Sequence, residues 1–163
     1  MQTITFQTEK KKQILNITSQ IEKHLPQQSG LCHLFIQHTT AALTVADLDP
    51  GTDLDMLDAF EEMIPRLQYR HPHNPDHVGD HIMASLIGSD VSIPVEKGKL
   101  QLGTWQEVVL VELDGPRDRN VVLSFFPEKE GQNSIFLYRN PNANMLPEGK
   151  SKYQTKCRIM NTN

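Results

Sequence analysis

The stretch VSIPVEKGKLQLGTWQEVVLVELDGPRDRNVVLSFF, residues 91–126, decides the fold. Residues 91–95, 100–102, 107–113 and 120–126 are short apolar runs rich in β-branched and aromatic side chains, and Gly, Asp or Pro separates each from the next. The Glu96-Lys97-Gly98-Lys99 turn divides the first two. Such a series predicts strands that follow one another as a meander. Glu112 interrupts the pattern. It lies two residues from Leu110 on the same face of an apolar strand, so its carboxylate enters the interior and needs a partner, for which a metal, a histidine or Arg117 would serve.

Working outward, residues 3–8 and 13–18 alternate apolar and polar side chains around Lys10, Lys11 and Lys12, which predicts an opening hairpin. A short helix over residues 19–25, ended by Pro26, precedes a buried strand over residues 31–37. That strand runs into His38-Thr39-Thr40, a polar cluster at a strand end, where scaffolds present site residues. The threonines can equally bond neighbouring backbone, with His38 capping the strand. A helix from Thr52 repeats Leu54, Leu57, Phe60 and Ile64 along one face and ends at Pro65, with Thr52 and Asp55 spaced as a capping box. Its carboxylates read as a solvated face.

Residues 69–85, YRHPHNPDHVGDHIMAS, hold four of the seven histidines, His71, His73, His77 and His81. Histidine serves both as metal ligand and as proton carrier near neutral pH. Pro72 and Pro75 give the first part a stiff extended path, and Asp80 is the expected N-cap of a helix from His81 to Ile87 that stops at Gly88. A helix starting earlier would set His77 and His81 on one face at i and i+4.

Composition bounds the function. A chain of 163 residues with 37% hydrophobic and 22% charged residues is the size of one soluble domain. A formal charge of −4 argues against a nucleic-acid partner, and no apolar segment is long enough to span a bilayer. Without a signal-peptide pattern, a cytoplasmic protein is expected. Cys32 and Cys157 lack a C-x-x-C spacing and read as free thiols. After Phe126 the composition shifts to Asn, Lys, Gly and Pro. The expected division is therefore one domain over residues 1–126 and an extension over 127–163, with one further strand at 134–138.

Several segments together resemble the YjbQ family: QHTTAALT at 37–44, YRH at 69–71, Asp76 with DHI at 80–82, ASLIG at 84–88, IPV at 93–95, the Lys-Gly-Lys-Leu turn and LGTWQ at 102–106. Members are often labelled secondary thiamine-phosphate synthase. The resemblance implies an α+β sandwich of antiparallel strands with two or three short helices. It also implies a homotrimer and a metal-dependent or anion-binding pocket near the subunit boundary. His38, His71 and His81 match recurrent histidines and are the implied ligands of a divalent metal, zinc foremost; His73 and His77 do not match. Glu112, Asp47 and Gln106 form the candidate catalytic set. Thr39, Thr40, Ser85, Trp105 and Arg117 form the candidate substrate-binding set, with Arg117 suited to a phosphate. Trp105 on its own reads as core or interface packing.

This sequence departs from the pattern in three places. Asp47 stands in a shortened loop where the family has a glutamate, Met83 where it has a lysine, and Glu107 where it has a glycine. The implied function is a metal-dependent enzyme acting on a phosphorylated small molecule, the family label being the joining of a thiazole phosphate to a pyrimidine pyrophosphate. A metal- or ligand-binding homotrimer without turnover, or histidines that only pack an interface, are the alternatives.

Overall fold

A computed structural model describes residues 1–65, 67–71 and 75–128, residue 76 by its backbone alone. His73, Cys157 and the strand expected at 134–138 lie outside the described residues. The described chain is a mixed α+β structure in three layers. One antiparallel sheet has five strands in the order β1 (Gln2–Gln7), β8 (Asp118–Pro127), β3 (Gly30–Ile36), β5 (Asp90–Glu96) and β6 (Lys99–Leu100). The second has three: β2 (Gln13–Asn16), β7 (Glu107–Glu112) and β4 (Ala41–Ala46). Helices α2 (Thr52–Met63) and α3 (Val78–Ile87) cover its outer face, while the short α1 (Thr18–Glu22) closes the space between the sheets.

Strand β7 shows why this sequence takes this form. Val108 and Leu110 face the core between the sheets, and Val109 and Val111 face the core under α2 and α3. All four are fully buried, so the strand needs a continuous apolar run and not an alternating one. The inter-sheet core adds Phe6, Leu34, Ile36, Val121 and Leu123. It also holds Cys32, whose thiol burial pushes up to about 11.

Two connections differ from expectation. β1 and β2 form no hairpin: β1 pairs with β8, Ile4 opposite Val121, and β2 pairs with β7, Leu15 opposite Leu110. Alternation reports that one face of each strand is buried, and both faces are, but it does not name the partner. Nor do residues 91–126 form a meander. Only β5 and β6 are joined as neighbours, through a two-residue turn with Lys97 at φ 48° and Gly98 at φ 79°, the geometry of a tight hairpin. β7 then leaves for the second sheet and β8 returns to the first. The helix ends differ too. α2 starts from Gly51 at φ 96° with no side-chain cap, so the capping box does not form. α3 begins at Val78 out of a 3-10 turn (Pro75–His77), which puts Asp80 inside the first turn instead of at the cap. Among the described residues no helix is long and apolar enough to cross a membrane.

The two sheets are tied at one end by charge. Glu112, 0% exposed at the end of β7, and Arg119, 2% exposed on β8, form a two-pronged ion pair: Nε donates to Oε2 at 2.6 Å and Nη2 donates to Oε1. Thr8 Oγ1 donates to Oε2 at 2.8 Å, and the Asp114 N–H donates to Oε1 at 2.9 Å. Arg119 Nη2 also donates to Thr40 Oγ1 at 3.1 Å. Glu112 does need a partner, as its sequence position indicates, but the partner is Arg119; Arg117 binds Asp114 instead. Gly115 is required here by close approach, because a Cβ would meet the Lys10 carbonyl at 2.5 Å and Glu112 Cγ at 2.9 Å.

Removing one partner leaves a buried charge uncompensated, which costs about 3–5 kcal/mol. Arg119→Met is therefore expected to lower the denaturant midpoint strongly, and Arg119→Met with Glu112→Leu to recover much of the loss. A single variant as stable as wild type in urea unfolding would refute this account of the pair.

Candidate functional site

The end of the sandwich that carries this ion pair also carries the histidines. Pro65 stops α2, and the chain then brings His71 over the start of α3. The 3-10 turn delivers His77 to the N-cap of α3, and His81 follows four residues later in its first turn. Each of His71, His77 and His81 offers one ring nitrogen, and the three nitrogens lie within 4.8 Å of one another. Ring centroids stand 5.2 Å apart for His71 and His77, 5.6 Å for His71 and His81, and 4.8 Å for His77 and His81. Nitrogens sharing one zinc at about 2.0–2.1 Å stand roughly 3.3 Å apart, so shifts of about 1.5 Å would close the set on an ion.

A hydrogen bond orients one of the rings, and a carboxylate stands near another. His81 Nδ1 lies 3.0 Å from the Thr39 carbonyl and donates to it, which leaves Nε2 as the lone-pair nitrogen. His77 Nδ1 stands 3.9 Å from Asp114 Oδ2, while its Nε2 is buried without a hydrogen-bond partner among the described residues. Asp114 is itself held by Arg117, Nη2 to Oδ2 at 2.6 Å and Nε to the backbone carbonyl at 2.6 Å. Around bound metals a carboxylate commonly takes the hydrogen bond of a ligand histidine's far nitrogen; here Asp114 stands near that nitrogen of His77 but beyond hydrogen-bond distance. Asp80, one residue before His81, is partly buried; burial raises its carboxyl above the usual range, and Lys12 acts in the opposite sense.

The histidine set brought together thus contains His77 in place of His38. The bond that decides this is local: the Asn120 N–H donates to His38 Nε2 at 2.9 Å, which engages that nitrogen and puts the ring proton on Nδ1. His38 still lines the open cleft with His77, His81, Thr39, Asp114 and Arg117, a space of about 510 Å³. Periodicity could have identified His77, since it pairs with His81 at i and i+4 once α3 starts early enough.

The remaining candidates separate. Thr40 is committed to Arg119, and Ser85 Oγ donates back to the His81 carbonyl at 2.9 Å. Thr39 and Arg117 stand exposed at the cleft. Asp47, Trp105 and Gln106 lie at the opposite end of the second sheet, roughly 20 Å away along β4 and β7 at about 3.3 Å per residue. There Asp47 accepts the Asp49 N–H at 3.1 Å, and Gln106 accepts the Gly103 N–H at 2.8 Å, both closing turns. Trp105 is 68% exposed. Glu107 accepts from Thr18 Oγ1 at 2.6 Å, and Met83 is buried on the side of α3 away from the histidines.

Three comparisons with known proteins agree with one another. The model of a family described as UPF0047 protein, YjbQ-like, matches residues 2–128. A UPF0047 protein of Archaeoglobus fulgidus is 37% identical over 121 residues, covering 74% of this chain and 96% of its own. YugU of Bacillus subtilis, also a UPF0047 protein, is 33% identical, covering 73% and 93%. Among solved structures, a conserved hypothetical protein of Thermus thermophilus superposes with a TM-score of 0.72 at 35% identity, covering 77% of this chain and all of its own. An uncharacterised family member from Clostridium acetobutylicum gives 0.71 at 34%, with the same coverage.

His38 is expected to resist protonation, because burial, then Arg119, with a smaller push from Arg117, lowers its pKa below the ordinary 6.5 against the opposing pull of Glu112. The folded state then binds fewer protons than the unfolded one near that pH. The stability His38 contributes is present above 6.5 and lost as the pH falls below it. Nitrogen-resolved NMR should show the Nδ1–H tautomer and a midpoint below 6.5; an Nε2–H tautomer or a raised midpoint would contradict the Asn120 bond.

Proposed function

Since the chain belongs to the UPF0047 YjbQ-like family, we propose, from its histidine site, that it is a metal-dependent enzyme acting on a phosphorylated small molecule. The observation that carries this reading is the convergence of His71, His77 and His81, the last two at the wall of an open cleft. Three imidazoles suit zinc among divalent metals and leave a fourth position open. The ligand set proposed therefore differs in one member from the one the resemblance implies. A metal bound there supplies a Lewis acid and an acidified water.

The chain's own residues have distinct parts. The Thr39 carbonyl holds His81 with its Nε2 free, and Asp114 stands 3.9 Å from His77 Nδ1. Arg117, exposed and already oriented by Asp114, offers its remaining N–H groups to phosphate oxygens, with the Thr39 hydroxyl beside it. Joining a thiazole phosphate to a pyrimidine pyrophosphate is one reaction of this class and the specific one to assay. A second reading, metal or ligand binding without turnover, is favoured by the carboxylates. Glu112 is consumed by Arg119 and Asp114 by Arg117, while Asp47 and Gln106 lie at the far end of the same chain.

We also propose a homotrimer. On the outer face of the five-stranded sheet, Leu31, Phe35 and Phe126 are exposed, with Leu31 directly opposite Phe126. An apolar group of this kind on a sheet face suits association.

Metal analysis of the purified chain is expected to find one ion per chain. His77→Ala and His81→Ala should lose it, and His38→Ala should keep it. Asp114→Asn should weaken it roughly 10–100-fold. A chain without metal defeats the reading, and loss in His38→Ala with retention in His77→Ala defeats the ligand set. Metal with no turnover on phosphate-ester and pyrophosphate panels selects the second reading. Light scattering should give three times the chain mass for wild type and a smaller species for Phe35→Asp; a monomeric wild type would end the trimer proposal.

A further inference from the structure

His38 is left over once His77 takes its place among the converging nitrogens, and its surroundings give it another use. β3 ends at Ile36, yet Gln37 still donates its N–H to the Asn120 carbonyl at 3.0 Å, as the next rung of the β3–β8 ladder would. The return bond of that rung goes elsewhere. The Asn120 N–H meets His38 Nε2 at 2.9 Å in place of the Gln37 carbonyl. The imidazole is thus built into the end of the sheet as an acceptor, and turning it away would cost a backbone hydrogen bond.

The second nitrogen sets what the ring can do. With the lone pair engaged at Nε2, the neutral ring carries its proton on Nδ1. Nδ1 makes no hydrogen bond with any other described residue and is not enclosed. The ring lines the cleft that holds Asp114 and Arg117, and also a second open space that runs on to Phe35 and Ser85; the two share His38, Thr39 and His81. His38 therefore presents a fixed N–H donor where the two spaces meet. As a base the ring is unsuited, because no lone pair is free. As a donor it joins the Arg117 guanidinium and the Thr39 hydroxyl, which line the same cleft. Neither carboxylate there, Asp114 or Asp118, is bonded to it.

We propose that His38 is a substrate-binding residue that donates its Nδ1 proton to a phosphate oxygen in the cleft, beside the metal position and not at it. This rests on the phosphate reading of the cleft given above and adds to it a residue that the ligand set leaves out.

Two carboxamides separate the halves of the ring. His38→Gln can keep an acceptor near the place of Nε2 for the Asn120 N–H, but offers no donor at the place of Nδ1. His38→Asn does the reverse. The probe is inorganic phosphate, titrated at one pH into the zinc-loaded full chain, with affinity from calorimetry and the Nδ1 resonance of His38 from nitrogen NMR. Wild type is expected to bind saturably, with the Nδ1 resonance moving to a plateau. His38→Gln should bind about tenfold more weakly at a nearly unchanged urea midpoint, as loss of one hydrogen bond to a charged group implies. His38→Asn should keep the affinity and lose stability. A wild type that binds no phosphate, a Nδ1 resonance unmoved at saturation, or a His38→Gln that binds as wild type does overturns the proposal. Should a variant fail to fold, the wild-type resonance settles the matter. A chain that keeps zinc and binds phosphate with an unmoved resonance sinks the His38 role alone. If the chain takes up no zinc, the metal reading fails, and the same titration of the chain as purified still judges His38.

Discussion

The structure depends on one buried ion pair. Glu112 and Arg119 come from strands of different sheets, and both lie inside the sandwich at the end where β7 crosses to β8. Removing two charges from water costs several kcal/mol per ion, so such a pair persists only with its lone pairs and protons satisfied. Here Thr8, the Asp114 amide and Thr40 complete it. The same bonds hold the β7–β8 connection and the start of β4 in place. Thr40 binds Arg119, and the carbonyl of Thr39 beside it orients His81. A polar network made for folding thus also supports the histidine cluster.

Helix α3 converts that support into two faces. His77 and His81, four residues apart, turn toward the cleft with Asp114 and Arg117. Gly79, Asp80 and Met83 turn toward a smaller cavity shared with Leu57 and Phe60 of α2. Between them Met83 and Ala84 anchor the helix in the core above β7 and β4. A short helix fixed by its middle can present different chemistry on either side.

Much of this was legible in the chain. The apolar run over residues 107–113 predicts a strand, and that is where β7 lies. Glu112, placed two residues beyond Leu110, announced a buried charge. The histidine density of residues 69–85 marked the region where His71, His77 and His81 come together. What misled was local pattern used to infer partners. Strand alternation at residues 3–8 and 13–18 is genuine, yet each strand serves a different sheet. The early start of α3 hinges on a 3-10 turn at Pro75, Asp76 and His77, a feature that helix-start rules based on capping residues do not anticipate.

By itself the sequence determined which faces are apolar, roughly which stretches form strands or helices, and that Glu112 would be forced inside, because these follow from periodicity and from the cost of burying charge. Tertiary structure alone decided the pairings. Arg119 meets Glu112, and not Arg117, because β8 crosses to the other sheet and points Arg119 inward. His77 joins His71 and His81, while His38 turns Nε2 to the Asn120 amide, because a strand end is saturated by its neighbour across the sheet. Residues distant in sequence converge only once both sheets are packed, and no local pattern records which of several chemically suitable partners packing will bring within hydrogen-bond reach.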